Sequence, residues 1–307
     1  MQRRFIDYLI ISFKGLAMGA ADAVPGVSGG TIAFISGIYE ELVATISNVN
    51  ISLFKTLFKD GIKAFWKQLN GNFILALLTG IVISFVSFMR LAKYLIEFHP
   101  ILIWSFFFGL IVASIFFVGK QITKWNIATI IALIIGTIAA YYITTLPSLA
   151  DNESSLFLFI AGGIAICAMI LPGISGSFIL VVLGVYKTLS EAIHDFDFKK
   201  LALFIFGALV GLLSFSRILK WLFKHYHNIT LAILTGFILG SLNKIWPWKE
   251  VLSWRINSKG VEVPFLEQSI SPFSFNGDNQ LAFAIVLMII GFFTILLLEK
   301  IGTKTNN

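Results

Sequence analysis

One short stretch that interrupts apolar sequence occurs twice in this chain. Residues 25–30 read Pro25-Gly26-Val27-Ser28-Gly29-Gly30, and residues 172–177 read Pro172-Gly173-Ile174-Ser175-Gly176-Ser177. The register continues past each copy, with Gly37, Tyr39 and Leu42 against Gly184, Tyr186 and Leu189. Proline has no N–H and glycine reaches positive φ cheaply, so each copy breaks a helix that the flanking residues would otherwise continue. At membrane depth, broken backbone is tolerated only where protein buries it or where it lines a water-filled cavity. Breaks at corresponding places in two halves point to a transporter's binding site.

The membrane setting follows from composition. Of 307 residues, 57% are hydrophobic and 13% charged, whereas soluble domains carry about 25% charged residues. The net charge of +7 does not indicate nucleic acid, because the basic residues fall in short loops between apolar spans. A single cysteine, Cys167, excludes an intrachain disulfide. Arg3, Arg4 and the Ala21-Asp22-Ala23 stretch imitate a cleavable signal peptide, but Asp7 and Lys14 interrupt its apolar run and the internal repeat starts near Gly15. The N-terminal segment is therefore expected to stay.

The expected layout is an all-α, polytopic single membrane domain over residues 1–307. A first segment runs from about Phe5 to Ala23, breaks at Pro25 and resumes from about Gly30 to Ile46; each arm is at or below the roughly 20 residues needed to span. The pair reads as a re-entrant hairpin that enters and leaves on one side. Ser52–Leu69 follows, with Lys55, Lys59, Lys63 and Lys67 every fourth residue opposite Phe54, Leu57, Phe58, Ile62, Phe65 and Trp66. That pattern predicts a basic amphipathic helix on the membrane surface. Spans are expected at about 72–96, 101–118 and 126–145, then the second broken segment at 157–193. Further spans follow at 200–222, 229–246 and 281–299. A long polar loop, 247–280, separates the last two, with Trp246, Trp248 and Trp254 as expected interface anchors.

The repeat is longer than the hexapeptide. Ser87-Phe88-Met89-Arg90 matches Ser214-Phe215-Ser216-Arg217; Gly80 matches Gly207, Lys93 matches Lys220, Gly109 matches Gly236 and Ser114 matches Ser241. Each unit is thus a broken hairpin plus two spans, unit one over about 13–117 and unit two over about 160–244, with a linking helix at 126–145 and a C-terminal helix at 281–299. Three spans separate the units, an odd number, so the copies should be inverted. Loop charge agrees. With cytoplasmic termini, the inner loops hold Arg3, Arg4, Lys14, the four lysines of 52–69, Lys120, Lys124, Lys220, Lys224, Lys300 and Lys304. The outer loops hold Lys199, Lys200, Lys249, Arg255 and Lys259.

After each break a half-helix begins, whose first N–H groups lack intrahelical partners and whose dipole end is positive. Ser28, Gly29, Gly30 and Thr31, and in the second copy Ser175, Gly176 and Ser177, supply hydroxyls and close backbone approach, an arrangement suited to phosphate. The plainer reading is that Pro25, Gly26, Pro172 and Gly173 break the helices and the other glycines only allow close packing. Arg90 and Arg217 lie inside spans, where arginine is costly and usually functional; snorkelling to the interface is the alternative. Asp22, replaced by Met169 in the second copy, is a candidate for ion coupling or for capping the hairpin. Glu40, Glu41 and Lys187 read as interfacial. His99, His194, His225 and His227 fall in loops without metal-ligand spacing, so neither metal nor cofactor is expected.

On the Asp22–Thr31 stretch (DAVPGVSGGT), the Pro172–Ser177 copy and its length and layout, the chain resembles a bacterial and archaeal membrane family long catalogued as a domain of unknown function and now linked to polyprenyl-phosphate transport. The resemblance covers nearly the whole chain. It implies a flippase that returns undecaprenyl phosphate from the outer to the inner leaflet of a bacterial plasma membrane, with polyprenyl phosphate and membrane lipids as partners and no catalytic residue. Two rivals stay open. Undecaprenyl-diphosphate phosphatases share the inverted repeats and a Pro-Gly-x-Ser loop, but carry an arginine after that serine, where Gly29 and Gly176 stand here, and closely spaced glutamates that are missing beside both breaks. A transporter of a small soluble anion would use the same cradle.

Overall fold

The computed structural model describes residues 3–22, 28–146, 154–256 and 262–303; side chains at 85, 86, 89, 90, 92, 93, 255, 256, 262, 263, 265, 266 and 298–303 lie outside that description. The first segment forms α1 (Phe5–Asp22), α2 (Gly29–Ile35) and α3 (Tyr39–Ser47). Pro25 and Gly26 lie outside the described residues. The single arm expected over 30–46 is divided, because Gly37 adopts φ +72°. Its amide donates to Phe34 and that of Ile38 to Ala33, the paired closure that glycine makes at a helix C-terminus.

The chain continues with α4 (Ile51–Gln68), α5 (Gly71–Phe98), α6 (Pro100–Gly119) and α7 (Ile127–Thr145). The amphipathic helix is present as α4, bent where Gly61 takes φ +81°. Asn50 caps it by accepting from the Leu53 amide, and it leaves Phe58 and Ile62 exposed, as suits an apolar face resting on lipid. The second broken segment forms α8 (Ser155–Ile170), α9 (Gly176–Val182) and α10 (Tyr186–His194). Gly184 at φ +70° repeats the closure of Gly37, with Gly184 donating to Val181 and Val185 to Leu180. There α9 and α10 meet at a bend of 107°.

The remaining helices are α11 (Phe198–His225), α12 (His227–Gly240) with a 3-10 turn over Ser241–Ile245, and α13 (Leu281–Thr303). Among the described residues, Pro100–Gly119, Ile127–Thr145, Phe198–His225 and His227–Ile245 are long and apolar enough to cross a membrane, and the bent α9–α10 pair could supply a fifth span.

The 247–280 region departs from the all-α expectation. It folds as an antiparallel hairpin of β1 (Lys249–Ile256) and β2 (Glu262–Ser269), with Lys249 opposite Ser269 and Val251 opposite Glu267. The run Val251-Leu252-Ser253-Trp254 carries the β-branched and aromatic residues that favour strands. Trp248 is not an interface anchor: it is buried against Ile101 and Ala284, and its indole N–H donates to the Asn279 carbonyl at 2.9 Å. Trp246 is partly buried and donates to the Ile270 carbonyl, while Trp254 is exposed.

Helices pair in a repeated way, α1 on α5 and α8 on α11, α6 on α13 and α12 on α7. Glycines mark the closest approaches. A Cβ on Gly15 would strike the Leu77 carbonyl and one on Gly162 the Phe204 carbonyl; Gly80 faces Ser12 as Gly207 faces Phe159. Likewise Gly109 abuts Met288 and Gly236 abuts Leu133, while Gly136 abuts Ile233 and Gly291 abuts Phe106. The α7 sequence Leu133-Ile134-Ile135-Gly136 is echoed by Met288-Ile289-Ile290-Gly291 of α13. Each of these two helices packs on the other half: α7 on α12, and α13 on α6. Small residues let membrane helices approach this closely.

Candidate functional site

The two breaks meet. Thr31 of α2, fully buried, accepts at Oγ1 from the Gly173 amide at 2.9 Å. Ser28 donates from Oγ to the Met169 carbonyl at 3.2 Å, and a Cβ on Gly30 would lie 2.6 Å from the Ile170 carbonyl. The N-terminus of α2 therefore abuts the C-terminus of α8, a favourable meeting of opposite helix-dipole ends that also gives an orphan carbonyl a donor. Gly173 holds φ +86° with the Phe237 carbonyl 2.7 Å from where its Cβ would be, so neither a left-handed backbone nor the space admits a side chain.

At the first break the protein supplies its own acceptors. Asp22 takes the Gly29 amide at 2.6 Å and the Ser28 hydroxyl takes that of Gly30 at 3.1 Å. At the second break Ser175 makes no side-chain cap. Its hydroxyl pairs instead with that of Ser177 at 2.9 Å, on the exposed side, and Gly176 packs against Ala165 of α8.

Arg217 is not among the described groups that meet there. Arg217 donates to the Val49 carbonyl at 3.0 Å, and Lys220 reaches the Asn48 side chain at 3.1 Å. Both complement the C-terminal end of α3. Nearby, Glu40, Val43, Lys220, Phe223 and Lys224 line a cleft of about 180 Å³, and His227 pairs with Glu40 at 3.0 Å. Arg90 belongs to α5, and its side chain lies outside the described residues.

Sequence reading overlooked a second cationic group beside the second break. The Lys244 ammonium lies 5.0 Å from the ring centroid of Phe178, which directly follows Ser177, and 3.6 Å from Glu267. Glu267 also faces Lys249 at 3.5 Å. Lys249 sits 4.8 Å over the Trp104 ring and donates to the Lys244 carbonyl at 2.8 Å. Burial pulls the Lys249 ammonium down to about 8, against the opposing effect of Glu267. In the sequence, Lys244 ends an apolar span and looks like any snorkelling lysine; only the hairpin that returns Glu267 to it marks it out. Among the described residues no group of His, Cys, Asp and Glu could hold a metal.

The family model described as undecaprenyl phosphate translocase-like matches residues 18–263, which takes in both breaks and most of the hairpin. The chain belongs to that family. It is 47% identical to a polyprenyl-phosphate transporter of Vibrio cholerae over 308 residues, covering 99% of this chain and all of the relative. It is 35% identical to a polyprenyl-phosphate transporter of Staphylococcus aureus over 253 residues, 76% of this chain and 84% of that one. No solved structure matches the chain. Both relatives are named as transporters, so the phosphatase alternative falls away.

Proposed function

We propose that this protein carries a polyprenyl phosphate, undecaprenyl phosphate among them, across the bacterial plasma membrane from the outer to the inner leaflet. The observation that carries the reading is the meeting of two broken helices through Thr31 and Gly173, in a chain whose full-length relative is named a polyprenyl-phosphate transporter. Broken helices meeting between repeated units are the setting in which transporters hold charged substrates.

In this reading the units of about 13–117 and 160–244 are inverted repeats with re-entrant hairpins, and both termini are cytoplasmic. The phosphate is held at the exposed Ser175 and Ser177 hydroxyls and the adjacent Gly176 backbone. Ser28, Gly29, Gly30 and Thr31 form the opposing wall. The prenyl tail stays in lipid. Rocking of one unit against the other passes the head group toward the Arg217 side, Arg90 serving as its counterpart in the other unit. Asp22 is the candidate coupling group, since a proton on its carboxylate would weaken its hold on the Gly29 amide.

A leaflet-resolved transport assay in proteoliposomes tests this directly. Wild type moves labelled undecaprenyl phosphate inward, and Ser175→Ala with Ser177→Ala together slow it at least tenfold. Arg217→Ala slows it too, and Asp22→Asn removes any dependence on a pH gradient. Equal transport of a water-soluble phosphate ester would replace the lipid reading with that of a small-anion carrier. Absence of any lipid movement would end it.

A further inference from the structure

Two lysines share one carboxylate where the β-hairpin returns to the membrane helices. Glu267 lies 3.6 Å from Lys244 and 3.5 Å from Lys249, so the cluster holds one ammonium in excess. The two lysines are not equivalent. Lys249 is enclosed, with 12% of its side chain exposed, and is fixed by the Lys244 carbonyl and the Trp104 ring. Lys244 is 31% exposed. Its separation from Glu267 is that of an ion pair without a hydrogen bond, and its other flank is the Phe178 ring beside Ser175 and Ser177. An ammonium so placed can exchange one anionic partner for another without leaving the site.

We infer that Lys244 receives the phosphate monoester head of a prenyl lipid on the β-hairpin side, with the phosphate taking the place of Glu267. The inference rests on the transport reading above and names a residue which that reading does not use. The surroundings favour a lipid over a free anion. Phe108 packs edge-on against Trp246 at 5.2 Å and also lines, with Gly109, Met288 and Phe292, an apolar cleft of about 260 Å³ between α6 and α13. Trp246, two residues on from Lys244, thus links the ammonium to an apolar surface through Phe108, a pairing that suits a charged head with an isoprenoid tail.

Glu267 gives the test a sign. If it is the internal competitor for Lys244, removing its charge tightens phosphate binding; if the trio is only a brace for the hairpin, removing either partner loosens everything together. The full-length protein in phosphatidylcholine nanodiscs is titrated with farnesyl phosphate, farnesol and inorganic phosphate, following tryptophan fluorescence and thermal midpoint. Lys244→Gln should weaken farnesyl phosphate binding about tenfold, the loss of one charge-assisted contact. Lys244→Arg should restore most of it, and Glu267→Gln should tighten it about threefold while lowering the thermal midpoint. Farnesol binding should not change. Weaker binding in both Lys244→Gln and Glu267→Gln, or unchanged binding in Lys244→Gln beside a wild type that binds, overturns the role of Lys244 and leaves the transport reading standing. Inorganic phosphate binding as tightly as farnesyl phosphate overturns the lipid assignment. A wild type that binds no farnesyl phosphate sinks both.

Discussion

The two breaks share a backbone plan and differ in chemistry. At the first, the amides of Gly29 and Gly30 are answered by Asp22 and Ser28, and Thr31 is spent on Gly173. At the second, Met169 stands where the first has Asp22, Ser177 stands where the first has Gly30, and the hydroxyl pair faces outward with Lys244 nearby. One copy is closed by its own side chains. In the other the two hydroxyls bond only to each other on the exposed side. Under the proposed transport reading the first is the wall and the second the site, and the few residues that differ between the copies decide which one meets a ligand.

The largest effect should come from the seam between them. Gly173→Ala forces a side chain into a positive-φ position 2.7 Å from the Phe237 carbonyl and should cost about 3 kcal/mol by thermal unfolding in detergent. Gly37→Ala, at φ +72° with open space around it, should cost only about 1 kcal/mol. Equal losses would mean that α12 yields at Phe237 and that its close approach to the second break carries no cost.

Next comes Lys249. Its folded pKa of about 8 lies below the ordinary 10.5, so between those values the unfolded chain holds a proton that the folded one lacks. Stability should therefore rise with pH across that window, by up to about 3 kcal/mol at about 1.4 kcal/mol per unit, and the penalty should be fully present below pH 8. Lys249→Met should flatten the thermal midpoint over the same range. A wild-type profile that is already flat would show that Glu267 offsets the burial.

Asp22→Ala should follow, at about 2 kcal/mol for leaving the Gly29 amide without its acceptor, again read by thermal unfolding. Ser175→Ala and Ser177→Ala, on the exposed side, should change stability by no more than about 0.5 kcal/mol while slowing lipid transport. A stability loss at the second break as large as at the first would erase the division between wall and site.

Much of the helical layout was legible because long apolar runs and duplicated Pro-Gly signals are local features. The second interruption in each downstream arm was present in the matched Gly37 and Gly184, but a glycine in an apolar run is read as packing until its closure bonds are seen. The strand hairpin was harder. Its Val251-Leu252-Ser253-Trp254 core is short, and polar residues surround it. At the first break the sequence left Asp22 open between capping the hairpin and coupling to ions, since both ask for the same aspartate; its bond to the Gly29 amide supplies the cap. Lys244 gained meaning only through Glu267, a partner more than twenty positions away that a turn in the chain brings back.

The exchange of α7 and α13 has a consequence for the protein's history and handling. Each half of the chain is clasped by the final helix of its sibling, as two people shake hands with crossed arms. Severing the molecule between residues 145 and 155 would not yield two smaller carriers: each piece would hold a strap belonging to the other and leave bare the groove it should fill. Only when made together would the pieces embrace, and an ancestor of half this length would have had to do the same with its own twin.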